Sequence, residues 1–135
     1  MTQTNESQTK TKTADRILES ATECFAQNGF DRTNLRDIAK KVGIREPSIY
    51  RHFKSKEELY QQVLYQGLAP MADALLTLTK KKVDPKEMVE VPARMLRLHA
   101  QNPHVAGLLQ QAVTMPADQF ENQLLEEWLT KRLET

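Results

Sequence analysis

Ser48, Tyr50 and Arg51 lie within four positions of one another. Advanced at 100° per residue they fall, with Pro47, on the side of a helix opposite Ile49 and Phe53, which are four apart and share a face. One face of such a helix anchors it. The other offers a hydroxyl, a phenol and a guanidinium to something outside. Charge points the same way. Between Arg32 and Lys56 the bases are Arg32, Arg36, Lys40, Lys41, Arg45, Arg51, Lys54 and Lys56, and the acids are Asp37 and Glu46, a local excess of six on a chain whose formal net charge is +1. A concentrated basic patch on a nearly neutral chain suits attraction of phosphates at one surface.

Catalytic and metal chemistry find no such support. His52, His99 and His104 have no Cys, Asp or Glu at ligand spacing on a shared helix face, and Pro103 separates the last two. Cys24, the single cysteine, sits on an apolar stripe and reads as a core thiol. There is no Gly-rich phosphate loop, and no side chain pairs an acid or base with a nucleophile. The expectation is a non-enzyme without metal or cofactor.

The elements that must hold the basic face are short. Leu35, Ile38, Ala39 and Val42 recur at i, i+3, i+4 and i+7, the buried side of a helix. Gly43 follows, where the chain needs a residue that accepts positive φ. Pro47 suits the first turn of a second helix over about residues 46–53, since its fixed φ fits and its missing N–H is not needed there. Two short helices joined through a glycine, the second with a polar outer face, form a helix-turn-helix pattern. Thr13 reads as the N-cap of a preceding helix whose stripe is Ala14, Ile17, Leu18, Ala21, Cys24 and Phe25. Asn28-Gly29 ends that helix, and Phe30 is expected to fold back on it. Asn34 caps the next one, with Asp37 at its third position. Ser55 and Glu58 form a capping box that opens a fourth helix, whose N-terminus and Lys56 provide a seat for a phosphate.

These motifs together resemble the DNA-binding domain of the tetracycline-repressor (TetR) family of bacterial regulators. The resemblance rests on Ile17-Leu18, Ala21 through Phe25-Ala26, Asn28-Gly29-Phe30, Thr33, Asp37-Ile38-Ala39, Val42-Gly43-Ile44, Ser48-Ile49-Tyr50-Arg51-His52-Phe53 and Lys56-Glu57-Glu58-Leu59. It covers roughly a third of the chain, and the spacings across all three helices match together. The resemblance implies that Pro47, Ser48 and Arg51, with Arg45, reach base edges, and that Thr33, Tyr50, His52 and Lys56 hold phosphates. The chain departs from the family at Arg45, where a small capping residue such as Ser is usual. That weakens the N-cap and places a cation toward the DNA.

The class expected is all-α: a three-helix, homeodomain-like helix-turn-helix head followed by a partial helical bundle. Gly is scarce, at four in 135 residues, while Ala, Leu, Gln, Glu and Lys are common. Residues 1–12 are polar and aperiodic and read as a disordered arm. Residues 13–58 form the head and 59–135 the body. No apolar run approaches the ~20 residues of a membrane span and no signal sequence is evident, so the expected location is cytoplasmic. Within the body, Gly67 and Pro70 are expected to interrupt the fourth helix. Lys80-Lys81-Lys82 reads as a solvated charge run at a helix end. Asp84-Pro85-Lys86-Glu87 starts a helix to about residue 101 that buries Met88, Val91, Met95, Leu96 and Leu98 or His99. Pro116 is expected to start the last helix, whose apolar stripe of Leu124, Leu125, Trp128, Leu129 and Leu133 would need a partner.

Met71, Met88, Met95, His99, Met115, Phe120 and Trp128 are large, adaptable residues that could line an apolar ligand pocket, or simply pack a core. Family resemblance implies a homodimer on a palindromic operator in double-stranded DNA, acting as a repressor released by a small hydrophobic effector. Members usually carry a longer C-terminal body whose last helices pair in the dimer. The alternative is a shortened member that works as a protein-interaction module, pairing with a full-length regulator.

Overall fold

The structure is a computed structural model that describes the backbone at residues 2–79, 82–116 and 118–134, with side chains at 12–79, 82–116 and 118–132. Seven α-helices follow in order among these residues: α1 Thr2–Arg32, α2 Leu35–Val42, α3 Glu46–Ile49, α4 Lys56–Leu76, α5 Pro85–Gln101, α6 Pro103–Thr114 and α7 Phe120–Glu134, with a 3-10 turn at Thr77–Thr79. The protein is all-α, as the composition requires. None of its described helices is long and apolar enough to cross a membrane. The chain divides into two compact units, Met1–Val63 and Leu64–Thr135.

The first unit is built on the predicted stripes. Ile17, Ala21, Cys24 and Phe25 of α1, Leu35, Ile38, Ala39 and Val42 of α2, and Ile49 and Phe53 are all buried. The division falls at residues 63 and 64 rather than 58 and 59. The reason is Leu59, Tyr60 and Val63 at the start of α4, which are buried. Tyr60 meets Phe25 edge-on at 5.1 Å and Phe30 at 5.3 Å, so the head needs the first two turns of α4 to close its core.

At the N-terminus the backbone of residues 2–12, read above as a disordered arm, is helical and continuous with α1. No proline or glycine interrupts that stretch, so nothing in it forces a stop before Thr13, which is interior to the helix. The effective end of α1 is Gly29, whose φ of 81° and ψ of 171° break the helical path. Phe30 then returns to stack on Phe25 at 6.2 Å, as expected.

At the end of α2, Gly43 takes φ 83° and ψ 31°. Its N–H donates to the Lys40 carbonyl at 3.2 Å and that of Ile44 to the Ala39 carbonyl at 3.0 Å, which closes the helix and reverses the chain. A Cβ added at Gly43 would meet nothing within 4 Å, so the cost of a side chain there lies in the left-handed backbone alone. Gly43→Ala should therefore lower unfolding free energy by ~1–2 kcal/mol, read as a shifted denaturant midpoint at constant m. An unchanged midpoint would show that the turn does not depend on this conformation.

The second unit differs from expectation in instructive places. Helix α4 is not interrupted but runs past Pro70 to Leu76. A proline removes one backbone donor, and the buried Leu68, Met71, Ala72 and Ala74 around it hold the helix. Gly67 marks close packing instead: a Cβ there would lie 3.0 Å from Val105 Cγ2 of α6. Asp84 caps α5 as read, its side chain accepting from Lys86 N at 3.2 Å. Met88 and Leu96, however, are 62% and 73% exposed, and Val91 is the buried residue of α5. Residues 80 and 81 of the lysine run lie outside the described residues. Pro116 opens a turn closed by Gln119 N on its carbonyl at 2.9 Å, and α7 begins four residues later. The α7 stripe is covered in part, and the side chain of Leu133 lies outside the described residues. Leu124, Leu125 and Trp128 are buried, with Trp128 stacked on Tyr65 at 5.5 Å. The Arg132 guanidinium lies 5.0 Å over the Trp128 ring and also pairs with Asp73. Leu129 stays 40% exposed.

Candidate nucleic-acid interface

Helices α2 and α3 are joined by Gly43, Ile44 and Arg45. Arg16 of α1 donates to the Val42 carbonyl at 2.6 Å, placing a cation on the last carbonyls of α2, where the helix dipole favours one. Helix α3 starts at Glu46, one residue before the proline, and Arg45 stands at its N-cap with no side-chain cap bond. That fits the departure seen at this position: an arginine has no acceptor to offer the first N–H groups. The regular helix is one turn long, shorter than the span 46–53. The chain still keeps helical direction beyond it, because Arg51 N donates to Ser48 O at 3.3 Å and both His52 N and Phe53 N donate to Ile49 O at 2.9 Å.

The two faces separate as the spacing predicts. Ile49 is fully buried and Phe53 is 7% exposed. Arg45, Pro47, Tyr50 and Arg51 are exposed, and Ser48 and His52 are half-buried. The Arg51 guanidinium has no partner among the described residues. Two groups escaped the sequence reading. Arg36 on α2 and Glu46 on α3 form an exposed ion pair at 3.8 Å, which contributes little to stability but sets one acid beside the basic face. Membership of both residues in the charge run was the available signal.

Two predicted phosphate ligands have partners within the protein, Thr33 buried and Lys56 half-buried. Thr33 is buried at 4% exposure, and its hydroxyl donates to the Gly29 carbonyl at 2.6 Å, with the Cys24 carbonyl at 3.2 Å. A hydroxyl carries one proton, so this side chain fastens the corner after α1 and does not present itself to a phosphate. Lys56 starts α4 below the cap formed by Ser55, whose Oγ accepts from Glu58 N at 3.1 Å. Its ammonium donates to the Asp31 carbonyl at 3.3 Å and lies 4.5 Å from the centre of the Phe30 ring.

The seven pocket candidates of the second unit differ widely in burial. Met71 and Trp128 are buried, Met88 is exposed, and Met95, His99, Met115 and Phe120 are half-buried. The His99 ring bonds the Met95 carbonyl through Nδ1 at 2.9 Å. A cleft of about 490 Å³ in this unit is lined by Ala74, Thr77, Glu87, Val89, Glu90, Val91, Ala93, Arg94 and Arg97, none of them among the seven.

Residues 17–63 match the family described as bacterial regulatory proteins, tetR family. Over 48 residues the chain is 46% identical to the negative transcriptional regulator of the biofilm operon icaADBC, IcaR, of Staphylococcus aureus, an alignment covering 36% of this chain and 26% of that protein. The Staphylococcus epidermidis IcaR is 42% identical over 62 residues, 46% of this chain and 34% of that protein. The chain thus spans about a quarter to a third of the curated relatives it matches. Among solved structures, the fold is similar to that of the regulator FadR from Bacillus subtilis in complex with stearoyl-CoA, with TM-score 0.68, 22% identity, and 88% of this chain on 64% of that one. It is also similar to the TetR-family regulator PfmR from Thermus thermophilus, with TM-score 0.62, 29% identity, and 87% of this chain on 63% of that one.

Proposed function

We propose that this chain, a tetR-family regulator by its residues 17–63, binds duplex DNA sequence-specifically and represses transcription. The observation that carries this reading is the exposed face of Arg45, Pro47, Ser48 and Arg51, backed by the buried Ile49 and Phe53 and flanked by the basic run. That face enters the major groove, where an arginine fork suits guanine O6 and N7. Tyr50, His52 and Lys56 hold phosphates and fix register. Thr33 leaves this set for the reason given above. A homodimer sets two such faces about 34 Å apart on a palindromic site. Repression ends when a small hydrophobic ligand enters the second unit. The stearoyl-CoA bound by the Bacillus subtilis neighbour makes that compound the first effector to try.

The test is selection from a random duplex library by the 135-residue chain, followed by salt titration and light scattering. The expected outcome is one enriched inverted repeat bound by a dimer. Lys56→Ala should weaken selected and random duplexes alike and flatten the slope of log K against log salt by ~0.9, the release of one phosphate's counterion. Absence of enrichment together with salt-independent binding would defeat the reading.

A further inference from the structure

Lys56 is the cation whose surroundings the DNA-binding reading leaves unexplained. A lysine that meets a backbone phosphate is ordinarily a solvated, mobile point charge. Here its ammonium is already seated, 4.5 Å over the Phe30 ring and 3.3 Å from the Asp31 carbonyl. The seat is itself fixed. Phe30 stacks on Phe25 at 6.2 Å and meets Tyr60 at 5.3 Å. The corner that delivers it turns at Gly29, with φ 81°, and is fastened by the Thr33 hydroxyl on the Gly29 carbonyl at 2.6 Å.

We propose that Phe30 is a positioning residue for DNA binding: its ring, held by the aromatic cluster of the head, fixes the Lys56 ammonium at the start of α4 so that it meets a phosphate already oriented. This rests on the DNA-binding reading above. An ammonium has three donors. One goes to the Asp31 carbonyl and the ring covers one side, which leaves the outward side for the phosphate. Pre-orientation spares lysine rotamer freedom that would otherwise be lost on binding. Because the contact is to backbone, the effect is independent of base sequence.

The experiment measures affinity of the full 135-residue chain for a random-sequence duplex of about 30 base pairs, long enough for two half-sites, across a salt series. Phe30→Leu should weaken binding by about 2- to 5-fold, the range of an exposed cation–π contact, and Phe30→Tyr, which keeps a ring, should restore it. In a Lys56→Ala background Phe30→Leu should change nothing further. Pentafluorophenylalanine at position 30 keeps the shape of the ring but reverses its quadrupole. It separates positioning from folding, and should weaken binding as leucine does while thermal unfolding stays close to wild type. An equal loss from Phe30→Leu with and without Lys56, or wild-type affinity with the fluorinated ring, would overturn the proposal. Salt-independent or undetectable binding by the wild-type chain would instead defeat the DNA-binding reading on which it rests.

Discussion

Arg51→Ala should lower affinity for a selected operator by ~1–3 kcal/mol, about fivefold to over a hundredfold, while random duplex loses far less. The geometry sets this asymmetry. Arg51 lies on the exposed side of the turn that continues α3, two residues from the buried Ile49, so its backbone is fixed while its guanidinium has no partner among the described residues. Arg36 is different, because its guanidinium is engaged with Glu46 at 3.8 Å. A free, planar fork on a fixed base can reach two acceptors of one guanine, whereas a phosphate contact by the same charge would weaken all DNA equally. Arg51→Lys sharpens the test. It keeps the charge and loses the fork, so binding to random duplex should be preserved and discrimination between operator and single-base variants should fall. Equal losses on operator and random DNA would remove Arg51 from base reading. Matched measurements of Arg45→Ala would show whether the cation at the N-cap of α3 shares the role.

Local signals were the legible part of the head. Leu35, Ile38, Ala39 and Val42 are all buried because a short amphipathic helix has only one way to hide its stripe. Gly43 adopts the left-handed conformation that its place after that stripe required. Ser55 caps α4 because a hydroxyl three residues before a free N–H reaches it without help from the rest of the fold. What stayed hidden depends on contacts distant in sequence. Thr33 belongs to a family motif, but the direction of its hydroxyl is set by the carbonyl of Gly29 at the kinked end of α1. Lys56 counted as one more base in a charge run, and its seat comes from Phe30, 26 positions earlier. In the second unit, Met88 and Leu96 match a helical period yet stand in solvent, since periodicity identifies an apolar face and not what lies opposite it. Proline at position 70 does not break α4, because neighbouring burial holds the helix. Glycine at position 67, expected to interrupt the same helix, instead leaves room for Val105.

Phe25→Ala should be the most damaging single change in the head, lowering its unfolding free energy by ~3–5 kcal/mol, a large fraction of the ~5–15 kcal/mol that holds a domain together. Phe25 is fully buried, and two aromatic partners lean on it, Phe30 stacked at 6.2 Å and Tyr60 edge-on at 5.1 Å. Its removal leaves a cavity bounded by rings that cannot collapse without leaving their own contacts, so the transfer and cavity terms add. Phe25→Leu keeps most of the volume and should cost far less, about 1.5 kcal/mol or under. Denaturant unfolding followed by far-UV circular dichroism reads both. Leu96→Ala is the contrast. The sequence places it on a buried stripe, but at 73% exposure it should shift stability by no more than ~0.5 kcal/mol. If Phe25→Ala cost as little as Leu96→Ala, the aromatic cluster would not be the core of the head. The Phe30 ring would then have no fixed support from which to orient Lys56.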